Sequence, residues 1–139
     1  MEGINTGKLI VSGIVAGVVI TVGQLVLNLV LLGGAQDAAL EALGVAPVGG
    51  SQIGMFIAMT FVVSCTMMWL YASLRDRLGP GPKTAMCAGI VVWVLYYLQG
   101  LSNFWILGML GTPLVGIGLV WGLFELPIAA IAGAYFYSD

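Results

Sequence analysis

The stretch LVGIGLVWGLFELPIAAIAGAYFYS, residues 114–138, decides how this chain is read, because it is apolar throughout except for one acid near its middle, Glu125. A charged group at bilayer depth costs about 3 kcal/mol on insertion scales, so an ionisable residue there is expected to face a protein interior and to have a partner. Gly118, Gly122, Glu125, Ala129 and Gly133 recur at helical spacing. The carboxyl therefore lies on a stripe of small residues that admits a neighbouring helix closely. Pro127 cannot donate to the carbonyl of Leu123, which loosens the helix beside the acid.

Outward from that stretch, the composition is of one kind. Residues are 60% hydrophobic and only 7% charged, and the apolar runs each exceed about 18 residues, which makes an integral membrane protein the expected class. Four spans are expected, at about 9–32, 53–74, 84–104 and 114–138, each long enough to cross the hydrocarbon core. The first run is too long for the apolar core of a leader and ends in Gln24 and Asn28, so it is expected to persist as a span. A short head carries Glu2 and Lys8. The linker 33–50, from Gly33 to Gly50, holds Asp37 and Glu41 and no basic residue, with a possible interfacial helix over 35–43.

Three of the four basic residues, Arg75, Arg77 and Lys83, lie in the linker RDRLGPGPK. The positive-inside rule makes that loop cytoplasmic, and with four spans both termini join it there. The loop lacks the spacing of a phosphate-binding loop, and its cations are expected to face anionic headgroups. The fold class is all-α, a single transmembrane domain built as a four-helix bundle.

Antiparallel alignment of the first and fourth spans puts Gly13 level with Gly133, Gly17 with Ala129 and Gln24 with Gly122, so small residues meet small residues. Glu125 then lies level with Thr21, with Gln24 within one turn. Ser64 and Tyr96 fall near the same depth, and Asn28, Gln99 and Asn103 nearer the outer face. No Lys, Arg or His shares the depth of Glu125, so the acid is expected to be protonated and to donate to Gln24, Tyr96 or a backbone carbonyl. Two readings of this polar set compete. Its members hydrogen-bond helix to helix, each contact contributing about 0.6 to 2 kcal/mol, or they line a vestibule open to the outside with Glu125 at its floor. A continuous conduction path is disfavoured, since the inner half offers little beyond Ser12 and Thr66.

Other chemistry is thinly provided for. The chain has no His, which removes common zinc sites, His-ligated haem and a Ser-His triad. Cys65 and Cys87 differ in expected depth and form no CxxC pair, and Met55, Met59, Met67, Met68 and Met86 suit packing better than soft-metal ligation. No metal, cofactor or nucleic-acid partner is expected.

The segments LYASLRDRLGPGPKTAMCAG (70–89) and WGLFELPIAAIAGAYFY (121–137) resemble parts of small four-span bacterial membrane proteins of uncharacterised function. The resemblance spans most of the chain and implies a bacterial inner-membrane setting without supplying an activity. The first span has no acid of the kind small multidrug exporters use, and the motifs of fluoride channels and membrane glutathione transferases are missing. The leading functional expectation is a non-catalytic structural or accessory subunit, partnered by the bilayer and by further copies or other membrane subunits. A carrier or binding protein using Glu125 is the second, and a membrane enzyme acting on a lipophilic substrate the third.

Overall fold

The computed structural model describes residues 3–32, 34–46 and 48–137. Glu2, Gly33 and Ser138 lie outside the described residues. Those described are 86% helical with no strand. Four helices are long and apolar enough to cross a membrane: α1 (Thr6–Leu31), α3 (Gly50–Leu78), α4 (Pro82–Ile106) and α5 (Thr112–Tyr137). A short helix, α2 (Ala35–Ala42), occupies the first linker, with Asp37 in its first turn and no buried residue.

The helix ends follow their sequence signals. Asn5 caps α1 by accepting from the backbone N–H of Lys8 at 3.0 Å, which satisfies one of the donors a helix start leaves open. Pro82 sits in the first turn of α4, where a missing N–H does no harm. Between α3 and α4 the chain reverses through Gly79 and Gly81, both at positive φ, where a side chain would be strained.

α5 is the central helix, packed against α1 on one side and α4 on the other, while α3 closes the bundle against α1 and α4. Its core is built from small and flexible side chains: Ala16, Met67, Met68, Ala85, Ala88, Leu126, Ala129 and Ala130 are all fully buried. α1 and α5 run antiparallel, because the backbone N–H of Asn5 reaches the hydroxyl of Tyr137 at 3.2 Å. The expected register between them is met within about two residues, since Gly133 abuts the carbonyl of Ser12 and Glu125 abuts Gly23.

The faces differ from that expectation even where the register does not. Gly13 and Gly17 turn to α3, where Cys65 fills the first notch and Phe61 with Ser64 the second. Gly118 and Gly122 admit Leu101 and Tyr97 of α4. The reason is volume: a glycine notch opposite another glycine leaves a void whose walls lose their dispersion contacts, whereas a side chain fills it.

Among the described glycines, the one set tightest against a facing backbone lies outside the expected stripe. A Cβ on Gly89 would lie 2.8 Å from both N and Cα of Pro127. Core density is concentrated toward the end of the bundle carrying Tyr71, Ala85 and Tyr137. At the other end, residues 50–59 of α3 have no buried member.

Candidate functional site

Glu125 is 6% exposed and is held by donors from three helices. From α1, Gln24 Nε2 reaches both carboxyl oxygens at 3.1 Å. From α4, the Tyr97 hydroxyl donates to Oε1 at 3.0 Å. From α5 itself, the indole N–H of Trp121, one turn earlier, donates to Oε2. Gln24 Nε2 also donates to the Tyr97 hydroxyl at 2.5 Å, so the three helices share one hydrogen-bonded knot. Gln24 Nε2, the Tyr97 hydroxyl and the Trp121 indole N–H are thus all within hydrogen-bond reach of the carboxyl.

Tyr97 stands where Tyr96 was expected, and the correction has a geometric cause. The buried face of α4 runs through Ala85, Ala88 and Val92 at spacings of three and four, but residues Val94–Leu98 form a π-helical turn. The wider turn delays the return to the α5 side, so Tyr97 faces inward and Tyr96 is 49% exposed. The two rings meet edge to face at 5.2 Å between centroids.

The remaining members of the expected polar set are placed elsewhere. Thr21 donates to the carbonyl of Gly17 at 2.7 Å and Asn28 to that of Gln24 at 2.8 Å, each one turn back on its own helix. Ser64 is buried and joins α3 to α1 by donating to the carbonyl of Gly13 at 2.9 Å. Gln99 and Asn103 are exposed. Of the eight residues expected to cluster, the structure brings together Glu125 and Gln24, and adds Tyr97 and Trp121.

A signal in the sequence could have found Trp121, though none announces Tyr97. Trp121 lies four residues before Glu125, on the same helical face, and its indole can only donate. Gly23 precedes Gln24, and a Cβ there would lie 2.8 Å from Oε2 of Glu125, so a larger residue would occupy the space the carboxyl uses.

Beside the knot, α1 and α5 part to leave a groove of about 750 Å³. Its walls are Val19 and Leu31 from α1 and Ile117, Val120, Phe124 and Ile128 from α5, with Gly23, Gly116, Trp121 and Glu125 completing the lining. The surface is almost wholly apolar apart from that acid and the indole nitrogen. Gly116 faces open space, with nothing within 4 Å of where its Cβ would stand.

The basic residues lie at the far end of the bundle. Arg75 is less free to reach outward than expected: its guanidinium lies over the Tyr137 ring, 5.1 Å from the centroid, with Nη1 3.4 Å from the Tyr137 carbonyl. Arg77 and Lys83 are exposed. No family model, curated protein or solved structure matches this chain.

Proposed function

We propose that this is a non-catalytic multi-pass membrane protein that holds a small lipophilic solute in the groove between α1 and α5, with Glu125 as the polar end of the site. The observation that carries this reading is that Glu125, among the described residues the one acid in the middle of an apolar helix rather than at its end, lines an otherwise apolar groove. Binding sites for small molecules combine apolar walls with a few placed polar groups, and an ionisable group at membrane depth is by default functional. A bacterial inner-membrane setting is proposed on the likeness of residues 70–89 and 121–137 to small four-span bacterial proteins. Cytoplasmic termini are proposed on the basic residues between α3 and α4.

A second reading, an accessory subunit of a homo-oligomer or larger membrane complex, is favoured by residues 50–59 of α3. That third of the helix has no buried residue, and Gly50 and Gly54 leave open space beside it. The enzymatic reading has less support, because Glu125 is surrounded by neutral donors and, among the described residues, no second carboxylate stands beside it to share acid–base work. Extraction from native membrane in mild detergent, followed by mass spectrometry of what co-migrates, tests the proposal. A stoichiometric small molecule lost on filling the groove supports it. A stoichiometric protein partner with an empty groove replaces it with the accessory reading.

A further inference from the structure

We infer that the solute is a lipophilic cation: a molecule with one positive charge and an apolar body, held with its charge against Glu125 and its body along the α1–α5 groove. The inference rests on the groove reading above and deepens it. Glu125 lies at the middle of α5, so a ligand meeting it arrives through the apolar part of the bundle and must itself be largely apolar.

The charge follows from what surrounds the carboxyl. Gln24 Nε2, the Tyr97 hydroxyl and the Trp121 indole N–H, all groups able to donate, lie within hydrogen-bond reach of it, an arrangement complementary to a carboxylate that accepts. All three donors are neutral. The basic residues of the chain are Lys8, Arg75, Arg77 and Lys83, near the ends of the helices, so none shares the level of the acid. The protein therefore supplies hydrogen bonds to the carboxylate and leaves its charge unmatched, which at membrane depth favours a partner carrying the opposite sign.

The walls fit the same class of ligand. Trp121 and Phe124 line the groove beside the acid, and aromatic faces attract cations, the more so where water is excluded. No Lys or Arg lines the groove, so an anion would meet the carboxylate with nothing to offset the repulsion.

The test compares two probes of nearly the same shape and opposite charge, tetraphenylphosphonium and tetraphenylborate, on the intact protein in nanodiscs, with protein-free nanodiscs subtracted. Saturable binding of the phosphonium, at least tenfold tighter than the borate, is expected. Two variants locate it. Gly116→Phe fills the groove from a position with open space and leaves the knot untouched, and it should abolish binding while the protein stays folded. Glu125→Gln should weaken the phosphonium at least tenfold and narrow its advantage over the borate. Equal binding of the two probes, with both weakened by Gly116→Phe, overturns the cation assignment and leaves the groove as a site for lipophilic solutes. Absence of saturable binding by either probe, or binding that Gly116→Phe does not alter, overturns the cation assignment and the groove reading together. Should Glu125→Gln fail to fold, Gly116→Phe and the charge comparison decide.

Discussion

Gly89 on α4 lies against Pro127 on α5 so closely that a Cβ would stand 2.8 Å from the proline N and Cα and 3.0 Å from the carbonyl carbon of Leu126. Those neighbours are backbone atoms and cannot rotate away. Gly89→Ala is therefore expected to force the two helices apart and to lower stability by about 1 to 3 kcal/mol, the usual range for overpacking. Gly54→Ala is the control, since nothing lies within 4 Å of that site, and its helix should be unchanged or slightly firmer. Thermal unfolding in detergent distinguishes the two, and an unperturbed Gly89→Ala would refute the close approach.

Gly17 and Gly133 test the packing around α1. A Cβ at Gly17 meets the Phe61 ring at 2.5 Å, and one at Gly133 meets Met68 Sδ at 2.6 Å and the Ser12 carbonyl at 2.9 Å. Leucine at either position should disrupt the bundle. Gly133→Ala should also be harmful, because the Ser12 carbonyl is backbone, while Gly17→Ala meets side-chain atoms that have some room to adjust. Size-exclusion profiles and unfolding temperatures of the variants check this ordering.

Tyr97→Phe and Tyr96→Phe separate the two tyrosines by function. Loss of the Tyr97 hydroxyl removes a donor from Glu125 and an acceptor from Gln24, which keep each other and Trp121 as partners, so the expected cost is that of the lost buried hydrogen bonds, about 1 to 2 kcal/mol. Tyr96 is half-exposed, and its hydroxyl should be removable within about 0.5 kcal/mol. Equal unfolding temperatures for the two variants would show that the π-helical turn does not aim Tyr97 as described.

Glu125→Gln is a harsher change than similarity of shape suggests. Both carboxyl oxygens accept hydrogen bonds, Oε1 from Gln24 and Tyr97 and Oε2 from Gln24 and Trp121. An amide puts an NH₂ where one of those oxygens stood, so donors face donors. A loss of about 1 to 3 kcal/mol is expected, readable as a lower unfolding temperature with helix content retained in circular dichroism. A fully wild-type melting curve would mean that the carboxyl serves as a donor after all.

Topology is open to a direct test. Reporters fused after Asp139 and inserted at Pro80 should both be active only in the cytoplasm, and one inserted at Gly44 only on the opposite side, if the basic loop between α3 and α4 sets the orientation. The reverse pattern would invert the bundle.

Hydropathy and spacing alone determined the four helices long and apolar enough to cross a membrane, the short helix near 35–43 and the mid-helix position of Glu125, because each depends on residue types counted along one helix. Even the α1–α5 register was legible, since helix lengths and polar ends limit how far two antiparallel spans can slide. The partners of the acid were not. Gln24 could be named from its depth, but Tyr97 depends on a π-helical turn that shifts α4 by a fraction of a turn, and neither Val94 nor Leu98 announces it. Gly13 and Gly17 are expected against the small residues of α5, and the bulk of Cys65 and Phe61 on the facing helix places them against α3 instead. The groove is likewise tertiary. Val19, Gly23, Gly116 and Phe124 are unremarkable in the chain, and they become a site because α1 and α5, tight where Gly133 meets Ser12, separate beyond Glu125. Which surfaces pair is set by volumes on both partners at once, and that information is not carried by either helix alone.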